Sequence, residues 1–127
     1  MLKTKIMKKH NFLDSFIYAL HGFRDTFKSE YNFKVHLAAA IIALLLGFLL
    51  NISIGEWFCI CLVICLVFAA ELFNTAIESL ADEVSSEVNP QIKKVKDAAA
   101  AAVLILSVFA LICGVYIYVP KILAIEF

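Results

Sequence analysis

Glu71, Asn74, Glu78 and Asp82 recur at spacings of three and four, so on a helix all four project from one face. Such a row can hold a hard divalent cation through oxygen ligands, and it can take a proton from a hydroxyl. The setting sharpens the pattern, because the row follows WFCICLVICLVFAA, a run without charge. If Trp57 anchors the outer end of a membrane helix, Glu71 lies about 20 Å along the axis and Glu78 about 30 Å. Glu71 is then in the inner third of the bilayer and Glu78 at its inner boundary. Carboxylates are costly at such depth and mark function by default, whereas Asn74 alone could equally serve to join two helices. Glu30, Lys96 and Asp97 stand at the ends of neighbouring apolar stretches on the same side. Singly each is an ordinary boundary residue, a Lys that snorkels or an acid that is solvated. Together, carboxylates and a cation at one depth can bind Mg²⁺ and neutralise phosphate, and phosphoryl transfer needs little more than that, positioning, and a group to take the acceptor's proton. At this depth the acceptor would be a lipid hydroxyl.

The elements that must position these residues are helical. Three apolar stretches, at about 35–54, 57–81 and 98–119, each have the length a helix needs to cross the hydrocarbon core. Ahead of them, over about 12–28, Phe12, Phe16, Leu20, Phe23 and Phe27 recur at four and three, with Asp14, Tyr18, His21, Asp25 and Lys28 on the other side. With Lys3, Lys5, Lys8 and Lys9 before it, this amphipathic helix reads as lying in the headgroup region of an anionic leaflet. Packing its Phe stripe on the rest of the protein is a compatible reading. The whole chain, 1–127, is expected to be one all-α integral membrane domain. No apolar core follows the first lysines closely enough for a signal peptide. The Lys and Arg of the N-terminal segment, and Lys93, Lys94 and Lys96 in the connector SLADEVSSEVNPQIKKVKD, place both on the cytoplasmic side. NISIGE and the C-terminus then face outside, with Trp57, Tyr116 and Tyr118 near the outer interface. The alanines of 98–102 suggest a face for close helix packing.

Composition excludes other classes. Of 127 residues 63% are hydrophobic and only 17% charged, more apolar surface than a soluble fold of this size could hide. Eleven basic and eleven acidic residues cancel, so there is no polyelectrolyte field for nucleic acid. Gly22, Gly47, Gly55 and Gly114 are far apart, so no glycine-rich phosphate loop exists and any nucleotide must be held by side chains and metal. Cys59, Cys61, Cys65 and Cys113 sit in apolar runs and read as small filler. Three spans are too few to shield the polar row and enclose a nucleotide and a lipid, which points to a symmetric homo-oligomer with sites between protomers.

FKSEYNFKVH, ELFNTAIESLADEV and KVKDAAAAAVLI resemble the bacterial integral-membrane diacylglycerol kinase family, which includes the undecaprenol kinases. The similarity runs from about Asn11 to about Val119, and the ExxNTAIE block joined to a downstream KD pair is its specific part. The resemblance implies a homotrimer in the bacterial cytoplasmic (inner) membrane, each protomer an amphipathic surface helix and three spans, that transfers the γ-phosphate of MgATP to a membrane lipid. It implies Glu71 as the catalytic carboxylate that helps activate the lipid hydroxyl and Asn74 as a supporting polar group. It also implies Glu30 and Glu78 as ligands of Mg²⁺, Lys96 as a phosphate contact, and Asp97 and Asp82 as nucleotide or structural positions.

Two departures bear on substrate. Where proteobacterial diacylglycerol kinases have an acidic residue shortly after the metal-binding Glu, this chain has His36, read either as a lipid-headgroup contact or, preferentially, as an interfacial histidine hydrogen-bonded to backbone. NFKVH and IGEW look more like the undecaprenol kinases of Gram-positive type. Val88 and Asn89 stand where the family often has Tyr-His, which bears on the nucleotide's base or ribose. Undecaprenol is therefore preferred over diacylglycerol as acceptor. A small ion- or proton-conducting protein is the reading of another class, since acids in spans also mark ion pathways. It would want polar residues continuing to the outer face, where the sequence is apolar, and it has no use for Lys96, Asp97 and Glu30 at the inner boundary. An inert assembly subunit would leave the carboxylate row unexplained.

Overall fold

The computed structural model describes residues 11–87 and 89–125. Lys3, Lys5, Lys8, Lys9 and Val88, used in the sequence reading, lie outside the described residues. The described chain is all-helical: α1 (Phe12–Ser29), α2 (Tyr31–Leu49), α3 (Ile54–Val84) and α4 (Pro90–Leu123). The last three are long and apolar enough to cross a membrane. At 1.5 Å per residue α2 is about 28 Å long, α3 about 46 Å and α4 about 51 Å, against a hydrocarbon core of about 30 Å. Part of α3 and α4 must therefore extend past the apolar layer.

α3 and α4 accordingly run beyond the apolar stretches 57–81 and 98–119. Of SLADEVSSEVNPQIKKVKD, 79–84 form the end of α3 and 90–97 the start of α4. The reason lies in the capping residues. Pro90 takes the first position of α4, where a missing N–H leaves no helical bond unmade, and the Asn89 side chain accepts the Gln91 N–H at 2.9 Å. Likewise Glu56 begins α3 rather than a loop: its N–H donates to the Ser53 hydroxyl at 3.2 Å, and its carboxylate accepts the Ser53 N–H at 3.0 Å, a reciprocal cap. Asn51, at φ 50°, turns the chain between α2 and α3 in a conformation asparagine tolerates. At the other end of α2 a single extended residue, Glu30 (φ −110°, ψ 114°), closes α1 and opens α2.

α3 and α4 form an antiparallel pair, tied by Glu56–Lys121 at 3.2 Å at one end and by Asp82–Lys96 at the other. α2 packs chiefly on α3. Near the Glu56 end, Ile52, Ile60, Ile117 and Tyr118 make a buried cluster, and the Tyr118 hydroxyl donates to the Ala43 carbonyl at 2.6 Å. Tyr118 thus turns inward rather than joining an interfacial belt, while Tyr116 is exposed. Two residues on a helix are about 200° apart, so the two tyrosines could not share a face. Trp57 lies against Gly47 so closely that a Cβ there would sit 2.6 Å from its ring. Near the other end Phe23 of α1, Phe33 of α2 and Phe68 of α3 form an aromatic triad with centroids 5.0 to 6.2 Å apart. Phe12, Phe16 and Leu20 of α1 remain exposed, and among the alanines of 98–102 only Ala99 is buried.

Candidate active site

Glu71 is the buried carboxylate of α3, its side chain only 5% exposed. Its Oε1 accepts from Nε2 of His36 on α2 at 2.9 Å. Phe33 and Phe68 each precede one of these residues by three positions, so the aromatic triad clamps α2 to α3 one turn away from the pair. The expected backbone hydrogen bond of His36 is thereby corrected: its partner is the catalytic candidate itself. The cause is helix rotation. Phe33, His36, Ala40, Ala43 and Gly47 follow one another at three or four, and the face they define is the one α2 turns to its neighbours, with Phe33, Ala40 and Gly47 buried. That stripe was the sequence signal for His36.

One turn further along α3, Asn74 Nδ2 donates to Glu78 Oε1 at 3.4 Å. Among the described residues the buried Asn74 Oδ1 and Thr75 hydroxyl have no hydrogen-bond partner. Glu30, half-buried at the α1–α2 junction, makes no side-chain cap bond. Glu78 follows Glu71 by two turns on α3, while Glu30 comes from the segment that opens α2. Asp82 is joined to Lys96 across the α3–α4 contact. Asp97 is instead turned to Lys93 one turn back on α4, exposed on the surface. The structure thus joins the expected residues in pairs and leaves Asp97 apart from the others. Both the Lys96–Asp82 and Lys93–Asp97 pairs are accessible, and exposed pairs contribute about 0–1 kcal/mol, so an incoming phosphate can compete for either ammonium.

Among the described residues no three His, Cys, Asp or Glu side chains are grouped as a complete metal cage. Mg²⁺ does not ask for one. It keeps several waters and takes one or two carboxylates together with substrate phosphates; Glu78, with the Asn74 carboxamide at 3.4 Å, and Glu30 at the α1–α2 junction each offer oxygen donors of the kind it takes. The four cysteines are free thiols.

A cleft of about 570 Å³ runs between α2, α3 and α4, lined by His36, Ala40, Ala43, Val67, Ser107 and Tyr118 among other, mostly apolar, side chains. His36 is therefore both a wall of an apolar cleft and the partner of Glu71. A smaller cleft of about 290 Å³ between α3 and α4 has Asn74 in its wall, with Leu66, Phe73 and Ala99. Each opens between helices rather than enclosing a void.

Comparison with known proteins gives a consistent picture. Residues 17–118 match the family described as prokaryotic diacylglycerol kinase. The chain is 43% identical over 112 residues to the undecaprenol kinase of Bacillus subtilis (strain 168), covering 88% of this chain and 91% of that protein. It is 33% identical over 115 residues to a diacylglycerol kinase of Synechocystis sp., covering 90% of this chain and 66% of that protein. To the diacylglycerol kinase of Pseudomonas aeruginosa it is 36% identical over 85 residues, 67% of this chain and 69% of that protein.

Proposed function

The chain belongs to the prokaryotic diacylglycerol kinase family, and from that premise we propose that this lipid kinase transfers the γ-phosphate of ATP, with Mg²⁺, to the hydroxyl of undecaprenol in preference to diacylglycerol. The observation that carries the reading is the position of Glu71: a buried carboxylate beside an apolar cleft, with further carboxylates and a lysine toward the end of the same helix pair. An apolar chain lying in the cleft would bring its terminal hydroxyl toward Glu71. The greater likeness to an undecaprenol kinase supports the choice of acceptor.

In this reading Glu71 takes the proton as the acceptor O–H bond breaks. The acceptor oxygen bonds to the γ-phosphorus, the bond from that phosphorus to the bridging oxygen breaks, and ADP leaves with the electron pair. Asn74 orients Glu78 through its carboxamide N–H. Glu30 and Glu78 would hold Mg²⁺, which when bound neutralises phosphate charge. Lys96 exchanges Asp82 for a phosphate oxygen, while Asp82 and Asp97 hold the nucleotide side of the site in register. α1 lies on the cytoplasmic face of the inner membrane with Phe12, Phe16 and Leu20 toward lipid, the N-terminus is cytoplasmic, the C-terminus lies outside, and three protomers assemble with sites between them.

The test is transfer of label from γ-labelled ATP in detergent-lipid micelles, with undecaprenol and diacylglycerol offered in parallel. Label in undecaprenol, with less in diacylglycerol, is expected. Label in diacylglycerol alone overturns the acceptor, and label in neither with Mg²⁺ present overturns the reaction.

A further inference from the structure

We propose that His36 is a positioning residue for the transfer, donating its Nε2–H to Glu71 so that one carboxylate oxygen is fixed and the other is aimed at the acceptor hydroxyl. The inference rests on the role proposed above for Glu71. Three observations carry it. The contact is short and local, 2.9 Å from His36 Nε2 to Glu71 Oε1. Glu71 needs it: a carboxylate side chain 5% exposed in an apolar helix pays a large desolvation penalty unless a donor meets it, and the described residues give Glu71 no other hydrogen bond or ion pair. And His36 is in the right place to couple the two parts of the site, because it is 24% exposed in its side chain and lines the apolar cleft, while the Phe33–Phe68 contact one turn away fixes the spacing of its helix from α3.

The chemistry follows from the donor. Oε1 is engaged by the imidazole N–H, so Oε2 is the oxygen left to accept from the incoming hydroxyl. A charge-assisted bond of this kind is stronger than a neutral one and has a preferred direction, so it also restricts the carboxylate's rotation. Removing the donor frees that rotation at the reacting end, and leaves Lys96, Asp82, Glu30 and Glu78 in place for the nucleotide. The deficit should thus fall on kcat and spare KM for ATP.

Glutamine can set its amide N–H about where Nε2 of a histidine lies, whereas asparagine is too short to reach the same carboxylate. His36→Gln and His36→Asn are both polar and of similar character, which makes their difference a measure of reach rather than of folding. We expect His36→Asn to lower kcat by roughly ten- to a hundredfold, the range for losing a hydrogen bond to a charged group, with KM for ATP unchanged within about twofold. His36→Gln should recover most of that loss. In a Glu71→Gln background, His36→Asn should add no further deficit, because two residues acting through one contact are not additive. Equal activity of the Gln and Asn variants, or a loss expressed only in KM for ATP, overturns the positioning role. Full activity of Glu71→Gln alone overturns instead the reading beneath it, so the two failures are distinguishable.

Discussion

A carboxylate buried as deeply as Glu71 makes sense only if its neighbourhood works for it, and the site divides that work among single residues. Glu78 is half-buried and already holds the Asn74 carboxamide; as a ligand of Mg²⁺ it should be indispensable at ordinary metal concentration. Glu78→Ala is expected to raise the Mg²⁺ needed for half-maximal transfer at least tenfold or to eliminate turnover, read from a metal titration, and turnover that survives chelation in the parent protein removes the metal assignment. Lys96 is bound to Asp82 in an exposed pair, so Lys96→Ala should change thermal stability by less than about 1 kcal/mol while raising KM for ATP several-fold. A stability loss with KM unaltered would make the pair structural. At this scale the row Glu71, Asn74, Glu78 and Asp82 was legible because spacing on one helix suffices to align side chains. The His36–Glu71 contact was not, because it depends on how α2 is rotated against α3, which only packing decides.

The elements owe their limits to caps more than to hydropathy. Three spans were legible as apolar runs, yet each helix exceeds or shifts from its run where a polar residue finishes it: Ser53 with Glu56 before α3, Asn89 with Pro90 before α4. Those pairs were present in the sequence and were outweighed by the charged character of the segments, which suits a helix leaving the bilayer as well as it suits a loop. Ser53→Ala should lower stability by about 1 kcal/mol, measured as unfolding in mixed detergent. Gly47→Ala is expected to lower it by about 1–3 kcal/mol, the range for overpacking, because its Cβ would meet the Trp57 ring at 2.6 Å. An unchanged midpoint for Gly47→Ala would show that α2 and α3 are not held at that distance. Gly47, near the end of α2, and Ser53, the cap of α3, both lie by the α2–α3 turn, far from Glu71, and both substitutions should leave acceptor choice unaltered.

Over the whole molecule the apolar surface is turned outward: Leu104, Ile105, Leu111 and Tyr116 on α4, Phe48 and Leu49 on α2 and Phe58 and Phe73 on α3 are all exposed. Hydrocarbon can cover such surface, and under the proposed trimer other copies of the chain would cover part of it; within one protomer Asn74 meets Glu78 while Asp97 is turned to Lys93. The expectation of self-association rests on a need for shielding, since one chain's sequence does not contain the symmetry that would meet the need. A mass of three protomers by native mass spectrometry in detergent is the expected result, and a monomer with full activity would remove the shared site. The central claim, that Glu71 in the assembled protein takes the acceptor's proton, is tested most directly by label transfer from γ-labelled ATP to undecaprenol with Glu71→Gln beside the parent protein, both shown to have the same oligomeric mass. Transfer should fall by about a hundredfold or more for Glu71→Gln, in the range for losing a general base; transfer at the parent rate would contradict the claim.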